Sequence, residues 1–280
     1  MSARLFPRPA AAAVLATIAL VLAARAEAAP EAELWERWLV HEPESTRTVD
    51  HREWQVFLGS YLVAGDDGVN RIAYGRVSAA GRARLADYVL HLSGIPVSAL
   101  NRSEQRAYWI NLYNALTVRV IVEHYPVASI RDIDISPGIF ADGPWRKKLV
   151  EVENVPVSLD DIEHRILRPI WRDPRIHYAV NCTAVGCPNL QPHAYGAANA
   201  ERLLSDGARA YVNHPRGVHF DKDGLKASSL YVWYADDFGA DDAGVIAHLA
   251  RFAAPALRAR LKSARRVADH AYDWGLNVAR

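Results

Sequence analysis

The chain has 280 residues, with 33 Lys plus Arg against 32 Asp plus Glu and a formal net charge of +1 at pH 7. That balance leaves no basic excess to hold phosphates, which argues against a nucleic-acid partner. Half of the residues are hydrophobic and only two are cysteine, so a sizeable core can form without a disulfide scaffold.

The first 28 residues read as a targeting segment. Arg4 and Arg8 precede an uncharged apolar run from Ala10 to Ala24, and Ala26-Glu27-Ala28 supplies a small-residue cleavage signature. The run is short against the roughly 20 residues of a bilayer-spanning helix, and no cysteine near the signature could carry a lipid. We therefore expect a cleaved signal peptide over 1–28 and a product beginning at Ala29 that is periplasmic or secreted. Without those residues, 30 basic side chains face 31 acidic ones. No later segment reads as a membrane span. No internal repeat, low-complexity linker or block of like charge divides 29–280, so a single globular domain is expected there.

In chain order, Glu31 to Leu39 predicts a short helix and Asp50 to Leu62 a longer amphipathic one, with Trp54, Phe57, Leu58 and Tyr61 at helical spacing. A turn at Gly65-Asp66-Asp67-Gly68 leads to a short strand around Ile72 to Tyr74, and Ser78 to Leu92 reads as a helix. Ser103 to His124 is apolar on almost every side and predicts a central buried helix that stops before Pro126. Lys148 to Val157 reads as a hairpin turning at Glu153-Asn154. Ser158-Leu159-Asp160-Asp161 is a capping box that opens a helix to about Leu167. Arg175 to Asn181 reads as a strand, Ala197 to Val212 as a helix, and Val218 to Ala227 as a hairpin. Asp241 to Phe252 predicts a helix, and Arg266 to Trp274 a closing strand. Helices outnumber strands without alternating strictly with them, which predicts an α+β class: a helix-rich domain around a small mixed or antiparallel sheet.

Several polar residues stand where apolar ones belong. Asn111 and Asn114 share a face of the buried helix and need hydrogen-bond partners, either neighbouring backbone or a loop such as the cysteine turn. Arg119 of the same helix requires a carboxylate. On the capped helix, a 100° projection puts Glu163 within the Leu159/Ile162/Ile166 stripe and His164 well off it. A carboxylate pointing into a core is paired, here with Arg119 or Arg175, or raised in pKa. Both cysteines follow the Arg175–Asn181 segment, as Cys182-Thr183-Ala184-Val185-Gly186-Cys187-Pro188. On an unbroken strand His177 and Cys182 would face opposite sides, so a direct pair requires the strand to end near Asn181; His164 is the rival partner.

These pieces resemble a known family. Ala107-Tyr108-Trp109-Ile110-Asn111-Leu112-Tyr113-Asn114-Ala115-Leu116-Thr117 is similar to the "FWINLYNALT" signature of the Domain of Unknown Function 547 family. Ser158 to Arg168 resembles its "SLDDIEHxILR" helix, and His177 through Cys182 to Cys187-Pro188-Asn189-Leu190 its "HFAxxCxxxxCPxL" turn. Trp233-Tyr234 with Asp237-Phe238 fits a "WYxxDF" element, and Tyr272-Asp273-Trp274-Gly275-Leu276-Asn277 resembles "YDWSLN". The resemblance spans roughly 50 to 277. It implies a distant papain- or transglutaminase-like analogy, with Cys182 as the better nucleophile and Cys187 as an auxiliary thiol.

Three functions follow as expectations. The first is a cysteine-dependent hydrolase or acyltransferase acting on amide or thioester bonds of a small molecule or peptide. In it Cys182 is the nucleophile, His177 or His164 the base and Glu163 the orienting group, with Arg175, Asn111 and Asn114 positioning substrate. The second is a non-catalytic binding module closed by a Cys182–Cys187 disulfide, which an oxidising compartment favours. The third, metal binding through His177, Cys182, Cys187 and His193, matches no common zinc spacing, so neither a metal nor another cofactor is expected.

Overall fold

The computed structural model describes residues 30–138 and 143–279, so the expected signal peptide lies outside the described residues. Helices α1 (Arg52–Tyr61), α2 (Ala79–Ser93) and α3 (Arg102–His124) stack in sequence. Their contacts follow the apolar spacing: Trp54 stacks on Phe57 and Tyr88, with ring centroids 5.6 and 6.1 Å apart. Asn101 caps α3 by accepting from the amides of Ser103 and Glu104 at 3.1 and 3.0 Å, and from Ala107 to Val118 every residue of α3 is buried. It ends at His124, ahead of Pro126 as expected.

Between α1 and α2, strands β1 (Leu62–Ala64) and β2 (Asn70–Ile72) pair antiparallel; the strand expected at Ile72 to Tyr74 lies earlier, and Tyr74–Arg76 is a 3-10 turn. Strands β3 (Val150–Val152) and β4 (Val155–Val157) form the expected hairpin. Glu153 and Asn154 take φ of 48° and 64°, the left-handed pair that a tight two-residue hairpin turn needs.

The next helix departs from the α form. Ser158 and Asp161 build the reciprocal box, with Ser158 N donating to Asp161 Oδ2 at 2.8 Å and Asp161 N to Ser158 Oγ at 3.2 Å. From Asp161–Leu167 the winding is π-helical, and it continues as α4 (Arg168–Trp171). Pro169 supplies the reason: it has no N–H, and its ring crowds the carbonyl four residues back, that of Arg165. The carbonyls of His164 and Arg165 accept instead from Glu33 N and Trp35 N, each at 3.0 Å. An N-terminal strap, ending in a 3-10 turn at Glu36–Leu39, is thereby fastened along the π turn.

Arg175 to Asn181 is not a strand. Asp173 accepts from Arg175 N at 2.9 Å and Pro174 opens a 3-10 helix, Pro174–Tyr178. Its apolar residues are buried among elements on all sides, so periodicity alone could not separate strand from helix. The remaining elements are α5 (Ala200–Val212), β5 (Val218–Asp221), β6 (Gly224–Ser228), α6 (Leu230–Trp233), α7 (Asp242–Phe252), α8 (Pro255–Leu261) and β7 (Asp269–Ala271). Strand β6 lies between antiparallel β5 and parallel β7. With eight α-helices and sheets of two or three strands among the described residues, the fold is α+β as expected.

Two hydrophobic cores result. The larger surrounds α3; the smaller gathers α5, α7 and the three-stranded sheet around Tyr178, Tyr211, Tyr231 and Phe238. The Pro174–Tyr178 turn joins them, with Ile176 in the first and Tyr178 in the second.

Candidate functional site

The cysteine turn is fixed from below by α3. Asn114 donates through Nδ2 to Ala179 O at 2.9 Å and accepts from Asn181 N at 2.8 Å. Asn181 then closes the turn on itself, donating to Pro188 O at 2.6 Å and accepting from Thr183 N at 2.9 Å. Cys182 and Cys187 are joined in a disulfide with their Cα atoms 6.1 Å apart. From above, the C-terminal segment crosses the turn: Val185 N and Gly186 N donate to Gly275 O and Asp273 O at 2.7 and 2.8 Å. A Cβ on Gly186 would stand 2.8 Å from Asp273 N, so this crossing needs glycine. It also delivers Tyr272, whose hydroxyl lies 3.1 Å from Cys182 Sγ and donates to Cys187 Sγ at 3.0 Å. Cys182 N donates to Cys187 Sγ at 3.0 Å. The two cysteines differ in access: Cys182 is half-buried, whereas Cys187 is 3% exposed. Trp233 and Trp274 flank Tyr272 with ring centroids at 4.8 Å each.

A second group of polar side chains lies at the seam between the cores. His177, 1% exposed, faces Glu163 Oε1 through Nδ1 at 3.6 Å and donates through Nε2 to Asp237 Oδ2 at 2.6 Å. Arg168 Nε donates to the same Asp237 oxygen at 2.6 Å. Tyr234 stacks on His177 at 4.2 Å and also meets the Arg168 guanidinium, 4.8 Å away. Burial alone would raise the Glu163 carboxyl, but His164, His177 and Arg168 outweigh it and hold the carboxyl down at about 2. Asp237 is likewise held at about 2, with His177 and Arg168 overcoming burial. For His177 burial works against the charge, and Asp237 and Glu163 reverse it, raising the imidazole above its ordinary value. The array is therefore two carboxylates compensated by an imidazolium and a guanidinium. His164 differs: burial, together with Arg168 and His177, lowers it to about 4 against the pull of Glu163. Arg168 Nη1 donates to His164 Nδ1 at 3.1 Å; arginine only donates, so the neutral ring carries its proton on Nε2.

Residues 97–212 match the family model described as "Protein of unknown function, DUF547". The chain carries a DUF547 segment. No curated protein and no solved structure matches. The segment contains α3, the π turn, both cysteines and α5, while Tyr234, Asp237 and Tyr272, which complete the two groups, lie beyond it.

Within the DUF547 segment the expected residues divide. Glu163 is buried as projected, but its partner is His177 rather than Arg119 or Arg175. Arg119 bonds Leu149 O at 2.9 Å and faces Glu123 at 3.5 Å; Arg175 is held by Asp173 and Glu201 at 2.6 and 2.8 Å. His164 is 5% exposed despite the projection, because a π turn does not advance by the α-helical 100° per residue. Asn111 and Asn114 are engaged with backbone, Asn111 with both polar groups of Tyr195 at 2.7 and 3.0 Å. The only polar side chain bonded to Cys182 Sγ among the described residues is Tyr272; His177 is occupied by Glu163 and Asp237. Of the metal set, Cys182 and Cys187 are bonded to each other. Asp160, Arg168, Tyr234, Asp237 and Tyr272 were not singled out from sequence, although Tyr234, Asp237 and Tyr272 sit inside the "WYxxDF" and "YDWSLN" look-alikes.

Proposed function

We propose that the protein is exported and acts as a cysteine-dependent hydrolase or acyltransferase on amide or thioester bonds, with Cys182 as nucleophile once the Cys182–Cys187 disulfide is reduced. The observation that supports this reading is the asymmetry of the two sulfurs. Cys182 is half-buried, while Cys187 is buried and accepts from both Tyr272 and the Cys182 amide. Donors on sulfur favour a thiolate leaving group. A dithiol would attack Cys182 Sγ and expel Cys187 as thiolate; its second thiol would then displace Cys182, leaving two protein thiols and an oxidised reductant. The Cys182 thiol would add to an acyl carbonyl, releasing the amine or thiol with the cysteine proton. Water or an acceptor would cleave the resulting thioester and restore the thiol. Tyr272 would orient the sulfur, and Glu163, His177 and Asp237 would fix the wall behind it.

The disulfide itself favours a second reading, a binding module with a closed turn. Mapping iodoacetamide adducts below pH 7 after brief exposure to a mild dithiol separates the two. Faster labelling of Cys182 than of free cysteine supports the enzyme. A bridge that resists mild reductant, or equal slow labelling of both thiols, rejects it.

A further inference from the structure

A cavity of about 490 Å³ lies between the strap and the π turn, lined among others by Pro30, Glu33, Lys148, Asp160, His164 and Arg165. Its volume is in the range of small-molecule sites, and neither cysteine is on its wall. Much of its charge is already matched. Lys148 and Arg165 both pair with Asp161, the latter at 3.2 Å, and Arg165 also faces Glu33 at 3.7 Å. Arg146 and Glu31 line it as well, so that, Asp160 apart, three cations and three carboxylates stand along the wall and select neither an anion nor a cation.

Ser158 on the wall is taken up by Asp161 at 2.7 Å, which leaves His164 with Asp160 as the cavity's remaining chemistry. His164 is 5% exposed, and the Arg168 bond to Nδ1 leaves Nε2–H as a fixed donor. Nε2 stands 3.7 Å from Asp160 Oδ1, too far for a hydrogen bond. A donor and an acceptor side by side, unbonded to each other, suit a group that accepts from the first and donates to the second. An amide does both. A ligand carboxylate would oppose Asp160, and an ammonium could not accept from His164.

We propose that this cavity is a binding site for a small neutral amide, its carbonyl accepting from His164 Nε2–H and its N–H donating to Asp160. The site does not depend on Cys182, so its test runs on the oxidised protein. In the full chain labelled with ¹⁵N-histidine, N-acetylglycinamide is titrated at pH 8, where the Asp160 carboxyl is ionised and accepts, beside acetate, ethylamine and glycerol. The expected result is a saturable shift of the His164 ring signals with the amide alone, with intermolecular NOEs from its methyl to Pro30 or the His164 ring. Asp160→Ala removes only the acceptor, since the residue's amide remains bonded to Trp145 O. It should keep or raise the melting temperature and weaken the probe roughly tenfold or more, the share of one hydrogen bond to a carboxylate. No saturable shift, an equal or larger response to acetate, ethylamine or glycerol, NOEs elsewhere, or unchanged affinity in Asp160→Ala would each overturn the proposal.

Discussion

Replacing Glu163 by Gln keeps the shape of the side chain and removes one of the two carboxylates facing His177. Glu163 is 6% exposed, so water cannot fill in for the lost charge. Breaking a buried ion pair from one side typically costs about 3–5 kcal/mol. His177 can shed its proton and keep Asp237 as partner, which places the expected loss near the lower end, about 3 kcal/mol. For a chain of this size that corresponds to a fall of about 6–12 °C in melting temperature. The pH dependence has a sign. The folded carboxyl lies at about 2 against an ordinary 4.5, so its contribution is complete above about pH 4.5 and disappears as pH falls towards 2. His177 is raised instead, so its contribution is complete below its ordinary 6.5 and disappears as pH rises through the folded value. Urea denaturation of the wild type, Glu163→Gln, His177→Gln and the double variant measures all of this. The double variant should be about as stable as the weaker single one, because each change removes the same interaction. A loss below about 1 kcal/mol, or two losses that simply add, would refute the ion-pair account.

Asp160 predicts the opposite trend. Its carboxyl is raised to about 7 by burial and by Glu163 and Asp161, so its contribution is complete below about pH 3.8 and is lost as pH rises through 7. Asp160→Asn should therefore stabilise the protein by about 4 kcal/mol at pH 8 and by less than half of that at pH 5 in denaturant melts; an equal effect at both pH values would count against the shift. Tyr272→Phe removes the hydroxyl beside both sulfurs and should slow mild reduction of the disulfide severalfold in a timed thiol titration, an unchanged rate showing that the hydroxyl is a bystander. Pro169→Ala restores an N–H that competes for the carbonyls of His164 and Arg165. Hydrogen exchange at Glu33 and Trp35 should then accelerate, and unaltered protection would dismiss Pro169 as the cause of the π winding. Finally, intact-mass measurement of protein from its native host should find a chain beginning at Ala29 outside the cytoplasm; an unprocessed cytoplasmic product would defeat the export reading.

The buried helix Ser103 to His124 was legible because nearly every residue on it is apolar, a pattern few other arrangements can accommodate. The hairpin at Glu153-Asn154 and the Ser158/Asp161 box were legible because turn and cap chemistry is local. The Pro174–Tyr178 turn was not: full burial erases the difference between periods of two and three. Local signals also cannot reveal long-range partners. Glu163 could be recognised as a buried carboxylate from its own helix, but His177, and Asp237 some 60 residues beyond it, meet only because two cores close against each other. Tyr272 lay in a segment whose motif was visible and whose role depended on crossing the cysteine turn.

One proline accounts for much of the site's arrangement. Without an N–H at Pro169, the helix has one donor fewer for the carbonyls of His164 and Arg165. The strap satisfies them from outside, and it forms one wall of the cavity. Pro30 of that strap accepts from Arg168 Nη1 at 2.7 Å, and Arg168 reaches both His164 Nδ1 and Asp237. The same guanidinium thus sets the tautomer of the histidine facing the cavity and supports the carboxylate holding His177. Consecutive residues of the π turn serve two environments. Glu163 turns to the seam between the cores and His164 to the cavity.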